Sequence, residues 1–84
     1  MSTSVRQPIN SDSVTLDARG LKCPMPIVRT AQKIKDLSSG QLLEVLATDP
    51  GAVADFAAWS RATGNEIVSQ STDDGVYRFV IRHR

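Results

Sequence analysis

One cysteine, one histidine and four aromatic side chains are all that this 84-residue sequence has of the residue types most often used for chemistry. A single cysteine excludes a disulfide within the chain, and together with His83 it cannot supply the four ligands of a structural zinc site. A lone thiol suits a reducing compartment, so a cytoplasmic location is expected. No apolar run approaches the roughly 20 residues needed to span a bilayer, and no membrane contact is expected. A surplus of charge is also missing. Ten basic residues against nine acidic ones leave a net charge of +1, which predicts no bulk attraction to nucleic acid. The segment Met1 to Ser13 has neither the basic start nor the apolar stretch of a secretory signal. It reads as a flexible tail, with 14–84 as one domain and a monomer expected.

What is present is organised by period. Val14, Leu16 and Ala18 alternate with Thr15 and Asp17, the pattern of a short strand. Cys23-Pro24-Met25-Pro26 follows, and Ile27, Ala31, Ile34 and Leu37 then form one apolar helical stripe that Ser38-Ser39-Gly40 ends. Gln41 to Thr48 is nearly all apolar, as a central strand would be. Asp49-Pro50 reads as a helix start, with Asp49 as N-cap and Pro50 at the first helical position. Val53, Phe56, Ala57 and Ser60 mark that helix's inner face, Trp59 the margin of the core, and Gly64 its end. Glu66 to Thr72 and Val76 to Arg82, joined through Asp73-Asp74-Gly75, give a hairpin whose first strand is polar enough for a sheet edge. The order β-α-β-α-β-β predicts a two-layer α/β sandwich, a four-stranded sheet with both helices on one face.

The chemistry centres on Cys23. With Pro24 as the first helical residue, Cys23 becomes the N-cap, and its sulfur faces unpaired N–H groups of the first turn. Pro26 removes one donor, so the Met25 N–H is the expected partner. The helix dipole, Arg19 and Lys22 all favour a thiolate, and a thiol pKa below its ordinary value is expected. A plain cap would be better served by serine or aspartate, and an inert buried cysteine would not be flanked by two cations. Thioredoxin-type exchange needs a second cysteine where Pro26 stands. Cys-His hydrolysis needs a histidine base, and His83, read as a solvated terminal residue, is far along the chain. What remains is a nucleophile that accepts a group and hands it on.

The run Leu16-Asp17-Ala18-Arg19-Gly20-Leu21-Lys22-Cys23-Pro24-Met25-Pro26 resembles the signature of the TusA/SirA family of small sulfur carriers, whose hallmark is Cys-Pro-X-Pro opening the first helix. The similarity continues through Thr48-Asp49-Pro50-Gly51, Thr63-Gly64-Asn65-Glu66 and Tyr77 to Arg82, and so covers 14–83. It implies a fold like the C-terminal domain of translation initiation factor 3, with strand order 1-2-4-3 and the fourth strand antiparallel. It also implies that Cys23 receives sulfane sulfur as a persulfide from a cysteine desulfurase or rhodanese-like donor. The sulfur then passes to an acceptor protein thiol, for tRNA thiolation, cofactor synthesis or sulfur oxidation, and no cofactor is implied. Members of the thiouridine pathway resemble Cys-Pro-Glu-Pro. Met25 in that place makes the site less acidic and leans the reading toward the branch of sulfur-oxidising bacteria.

Other residues read two ways. Asp49 is either a plain cap or a group that orients the site, because both helix starts should lie beyond the carboxyl ends of the parallel strands. Asp17 is expected to tie down the loop before Cys23. Arg29 and Lys33, four apart on the exposed helix face with Lys22 nearby, are ordinary solvated surface or a docking stripe for partner proteins. Two rival functions stand beside the carrier: a thiol-based regulatory or redox-sensing interaction module, and a nucleic-acid binder, which balanced charge and scarce aromatics disfavour.

Overall fold

The computed structural model describes residues 13–84; the expected tail, Ser13 apart, lies outside the described residues. Strand β1 (Ser13–Ala18) runs into a loop that leads to helix α1 (Met25–Ile34). Strand β2 (Leu42–Ala47), helix α2 (Ala52–Thr63) and the strands β3 (Glu66–Asp73) and β4 (Val76–Arg82) complete the chain. The sheet order is β1-β2-β4-β3. β1 lies parallel to β2, and β4 is antiparallel to both β2 and β3. The expected architecture and order are therefore present.

Alternation decides which face is covered. In β2, Leu43, Val45 and Ala47 are fully buried while Leu42, Glu44 and Leu46 are only half-buried. The register sets Leu16 and Phe79 on either side of Val45, and Ile81 beside Leu43, so one face of the sheet carries the core. Phe56 of α2 completes it, stacked on Phe79 with ring centroids 4.3 Å apart and edge-on to Trp59 at 6.3 Å. Burying two such rings outweighs any single polar contact here, at roughly 2–3 kcal/mol each from area alone. The other face is more polar: Glu44 pairs with Arg78 and accepts the Thr15 hydroxyl at 3.0 Å, and Glu66 pairs with Arg82 at 2.9 Å.

The hairpin turns on Asp74 and Gly75, both with positive φ (52° and 78°), the pair of left-handed positions that a tight two-residue turn demands. A bulge between Ile67 and Ser69 lets Val68 slip out of register in the edge strand β3.

The structure corrects the inner face of α1. The helix ends at Ile34, three residues short of Leu37, because i→i+3 bonds from Asp36 to Lys33 and Leu37 to Ile34 tighten the chain there. Its buried positions are Pro26, Thr30 and Ile34, with Ile27, Ala31 and Leu37 flanking them. Thr30 is tolerated inside because its hydroxyl donates to the Pro26 carbonyl at 2.9 Å. His83 is not a solvated end. Its N–H donates to the Gln41 carbonyl and its carbonyl accepts from Gly40, extending the sheet past the start of β2.

Candidate functional site

Because β1 and β2 run parallel, the starts of the helices that follow them lie at the same edge of the sheet, beyond the carboxyl ends of both strands. Two hydrogen bonds fix the loop from β1 to α1 there. The Gly20 N–H donates to Thr48 Oγ1 at 2.9 Å, which ties this loop to the one leading into α2. The Leu21 N–H turns back to the Ala18 carbonyl at 3.3 Å. Gly20 has φ +83°, a conformation glycine takes without strain. Asp17 closes the other side. Its carboxylate accepts the Arg19 backbone N–H at 3.1 Å and both guanidinium contacts at 2.8 Å. Those bonds hold the Asp17 carboxyl down at about 2.

Cys23 is exposed, the free thiol of the chain. It is not the N-cap. Pro24 occupies that position, the helix begins at Met25, and the Cys23–Pro24 peptide is cis. The Met25 N–H donates to the Lys22 carbonyl at 2.8 Å, so it is not the sulfur's partner. The Pro24 carbonyl accepts from both Ile27 and Val28. Pro26 is buried beneath the turn, whereas Pro24 and Met25 face out.

The sulfur's neighbours come instead from the second helix. The Cys23 thiol donates to Asp55 Oδ2, in the first turn of α2 and 32 residues away in sequence. Gly51, the N-cap of α2, lies against the thiol: a Cβ added there would sit 3.8 Å from Cys23 Sγ and 2.9 Å from Asp49 Oδ2. Asp49 is two residues before that cap, and its Oδ2 accepts the Gly51 N–H at 3.1 Å. The helix therefore starts two residues later than Asp49-Pro50 suggested. Asp49 is not the cap; its carboxylate forms a side-chain turn with the Gly51 N–H ahead of the helix.

This arrangement reverses the expected electrostatics. The hydrogen bond to Asp55, then desolvation, then the charges of Asp55 and Asp49 raise the Cys23 pKa above that of an ordinary thiol. The cations nearby in the sequence do not offset them, since Arg19 is held by Asp17. Asp55 is the site residue that sequence reasoning missed. Its signal was an acidic side chain one turn beyond Asp49-Pro50-Gly51, on a helix whose start shares an edge with Cys23.

Arg29 and Lys33 lie farther along α1. With Leu16, Gln32 and Asp36 they line a concavity of about 210 Å³ beside β1. Met25 and Val28, three apart and hence on one helix face, are unusually exposed for large apolar side chains at 39% and 37%. Arg29 and Lys22 are exposed beside them.

A family model described as Sulfurtransferase TusA matches residues 14–83. The chain belongs to the TusA family. It is 48% identical over 67 residues to the sulfur carrier protein TusA of Allochromatium vinosum, covering 80% of this chain and 88% of that one. It is 49% identical over 74 residues to the putative sulfur carrier YrkI of Bacillus subtilis, covering 88% and 97%. Against the putative sulfur carrier YrkF of the same organism it is 44% identical over 70 residues, 83% of this chain, and spans 38% of that longer protein. The crystal structure of a SirA-like protein from Desulfitobacterium hafniense superposes with a TM-score of 0.73 over 82% of this chain and 95% of that one. At 24% identity that likeness speaks to the fold. Among the described residues, no helix is long and apolar enough to cross a membrane.

Proposed function

We propose that this TusA-family chain is a sulfur carrier that accepts sulfane sulfur as a persulfide on Cys23 and passes it to a thiol of a second protein. The observation that carries this reading is the setting of Cys23: an exposed lone thiol at the shared edge of two helix starts, with Gly51 leaving its flank open. A protein of this kind needs the sulfur to reach into a partner's site, and an exposed residue ahead of a helix does that. The donor is a cysteine desulfurase or rhodanese-like protein and the acceptor a protein thiol. Both meet the surface formed by Lys22 of the preceding loop and the exposed α1 residues Met25, Val28 and Arg29, with Lys33 beyond. A redox sensor is disfavoured, because sensor thiols are acidic and oxidise as thiolates, whereas the Asp55 hydrogen bond and desolvation push the Cys23 thiol pKa up.

The test is intact mass after incubation with a cysteine desulfurase and cysteine. The wild type should gain one sulfur atom and deliver it to an added protein thiol. Cys23→Ser should gain none while keeping its fold, since the side chain is exposed and a serine hydroxyl can still donate to Asp55. A serine variant that still takes up sulfur would remove the assignment.

A further inference from the structure

A nucleophilic thiol flanked by two carboxylates is a contradiction that the carrier reading leaves open. Attack requires the sulfur lone pair, which the thiolate offers best, yet Asp55 and Asp49 both oppose its formation. The groups that face the sulfur can be named element by element. From α2 and the turn before it come Asp55, Gly51 and Asp49. On the thiol's own loop Lys22 is its neighbour in sequence and is exposed, while Arg19 is engaged by Asp17. The basic residues of α1 begin at Arg29, more than a turn beyond Cys23. The carboxylate in contact with the sulfur is therefore the group placed to govern its proton.

We infer that Asp55 is the proton-handling residue of this site, holding the thiol proton of Cys23 at rest and moving it to the departing sulfur during transfer. The inference rests on the persulfide reading above. Loading from a hydropersulfide donor R–S–SH then balances without any oxidant. Cys23 Sγ bonds to the donor's outer sulfur as the donor's S–S bond breaks. The thiol proton passes to Asp55 Oδ2 and from there to the released R–S⁻. The net change is Cys23–SH plus R–S–SH to Cys23–S–SH plus R–SH. Unloading uses the same route backwards. The acceptor's thiol proton reaches Cys23 through Asp55 as the Cys23 sulfur leaves. That matters because a sulfur with a raised pKa departs slowly as a bare thiolate. Asp55 has the contact distance and the position for both directions, in the first turn of a helix whose next residue, Phe56, is locked in the core. Asp49, tied up by the Gly51 N–H, sets the field and does not carry the proton.

The experiment compares two rates across pH in wild type, Asp55→Asn and Asp55→Glu. One is alkylation of Cys23 by iodoacetamide, and the other is sulfur loading from glutathione persulfide, read by intact mass. Asp55→Asn should shift the alkylation midpoint to lower pH and speed alkylation near neutrality. It should slow loading by roughly a hundredfold, the low end of what a positioned acid–base group contributes. Asp55→Glu should recover a large part of the loading rate. If loading by Asp55→Asn instead rises in proportion to alkylation, Asp55 is only an electrostatic brake and the inference is overturned alone. A wild type that takes up no sulfur overturns the carrier reading and this inference together. The wild type also discriminates without any variant. Loading that stays fast well below the alkylation midpoint supports proton transfer through Asp55, and loading that tracks the thiolate fraction rejects it.

Discussion

Gly51 packs against Cys23 so closely that its missing side chain is part of the site: a Cβ there would stand 3.6 Å from Cys23 Cβ and 2.9 Å from Asp49 Oδ2. The contact with the cysteine is ordinary van der Waals distance, but the one with the carboxylate is too short. Gly51 has φ −67°, so backbone strain is not the issue. Gly51→Ala should therefore displace the Asp49 side chain and weaken its bond to the Gly51 N–H. The loss should be about 0.5–1.5 kcal/mol, measured by urea unfolding. The added methyl also fills space beside the sulfur, so loading by a donor protein should slow while the fold persists. Unchanged stability together with unchanged loading would mean that the flank is wider than the geometry indicates.

The Asp17 carboxyl, with its pKa lowered from 3.8 to about 2, links the loop before Cys23 to pH. A carboxylate whose pKa falls on folding adds stability above its unfolded value, and that contribution disappears as pH falls from 3.8 towards 2. Asp17→Asn should lower Tm above pH 4, and the gap to wild type should close on acidification to about pH 2. The effect should be small because both partners are more than half exposed, at 53% and 54%. A Tm difference that is constant across this range would show that Asp17 contributes nothing through its charge.

Much of this molecule is legible in its sequence because local pattern and global topology agree. The alternation of Val14, Leu16 and Ala18, the Asp74-Gly75 turn and the left-handed end of α2 at Gly64 all follow from periods and backbone chemistry within a few residues. The surroundings of the thiol are less legible for a physical reason. Arg19 and Lys22 are near Cys23 along the chain, and proximity in sequence suggests a thiolate. In space Arg19 bonds Asp17, and the groups acting on the sulfur arrive from 26 and 32 residues away through the crossover. Sequence pattern also starts the helices too soon, by one residue for α1 and two for α2. In both cases a proline looks like the first helical residue, whereas Pro24 is itself the cap of α1 and Pro50 precedes Gly51, the cap of α2. The terminal position of His83 suggests solvation, yet it says nothing about strand pairing. Even so, its exclusion from the site stands: β2 separates the two ends of the sheet by six residues, a span of about 20 Å.

Partner choice should follow charge. Between Asp17 and Asp36 there are five basic residues (Arg19, Lys22, Arg29, Lys33, Lys35) and two acidic ones, a local excess of 5 − 2 = +3 in a chain of net charge +1. Pairing of Arg19 with Asp17 cancels one charge of each sign and leaves that excess on Lys22 and α1. Arg29 and Lys33 line the same concavity, while exposed Met25 and Val28 supply an apolar contact next to the thiol. Sulfur transfer needs two proteins to meet and separate quickly, which suits a small interface whose encounter rate is set by charge. Partners should therefore present acidic surfaces around their reactive cysteines. Reversing both residues, Arg29→Glu with Lys33→Glu, should slow protein-to-protein transfer strongly at low salt and leave loading from glutathione persulfide nearly intact. The small donor does not dock on the stripe, and that contrast separates docking from chemistry. As salt rises, screening shortens the field to about 8 Å at physiological ionic strength, and the two proteins' transfer rates should converge. Thermal stability should change little, because neither residue belongs to the core. Transfer rates that are equal for wild type and double variant at low salt would return Arg29 and Lys33 to ordinary solvated surface.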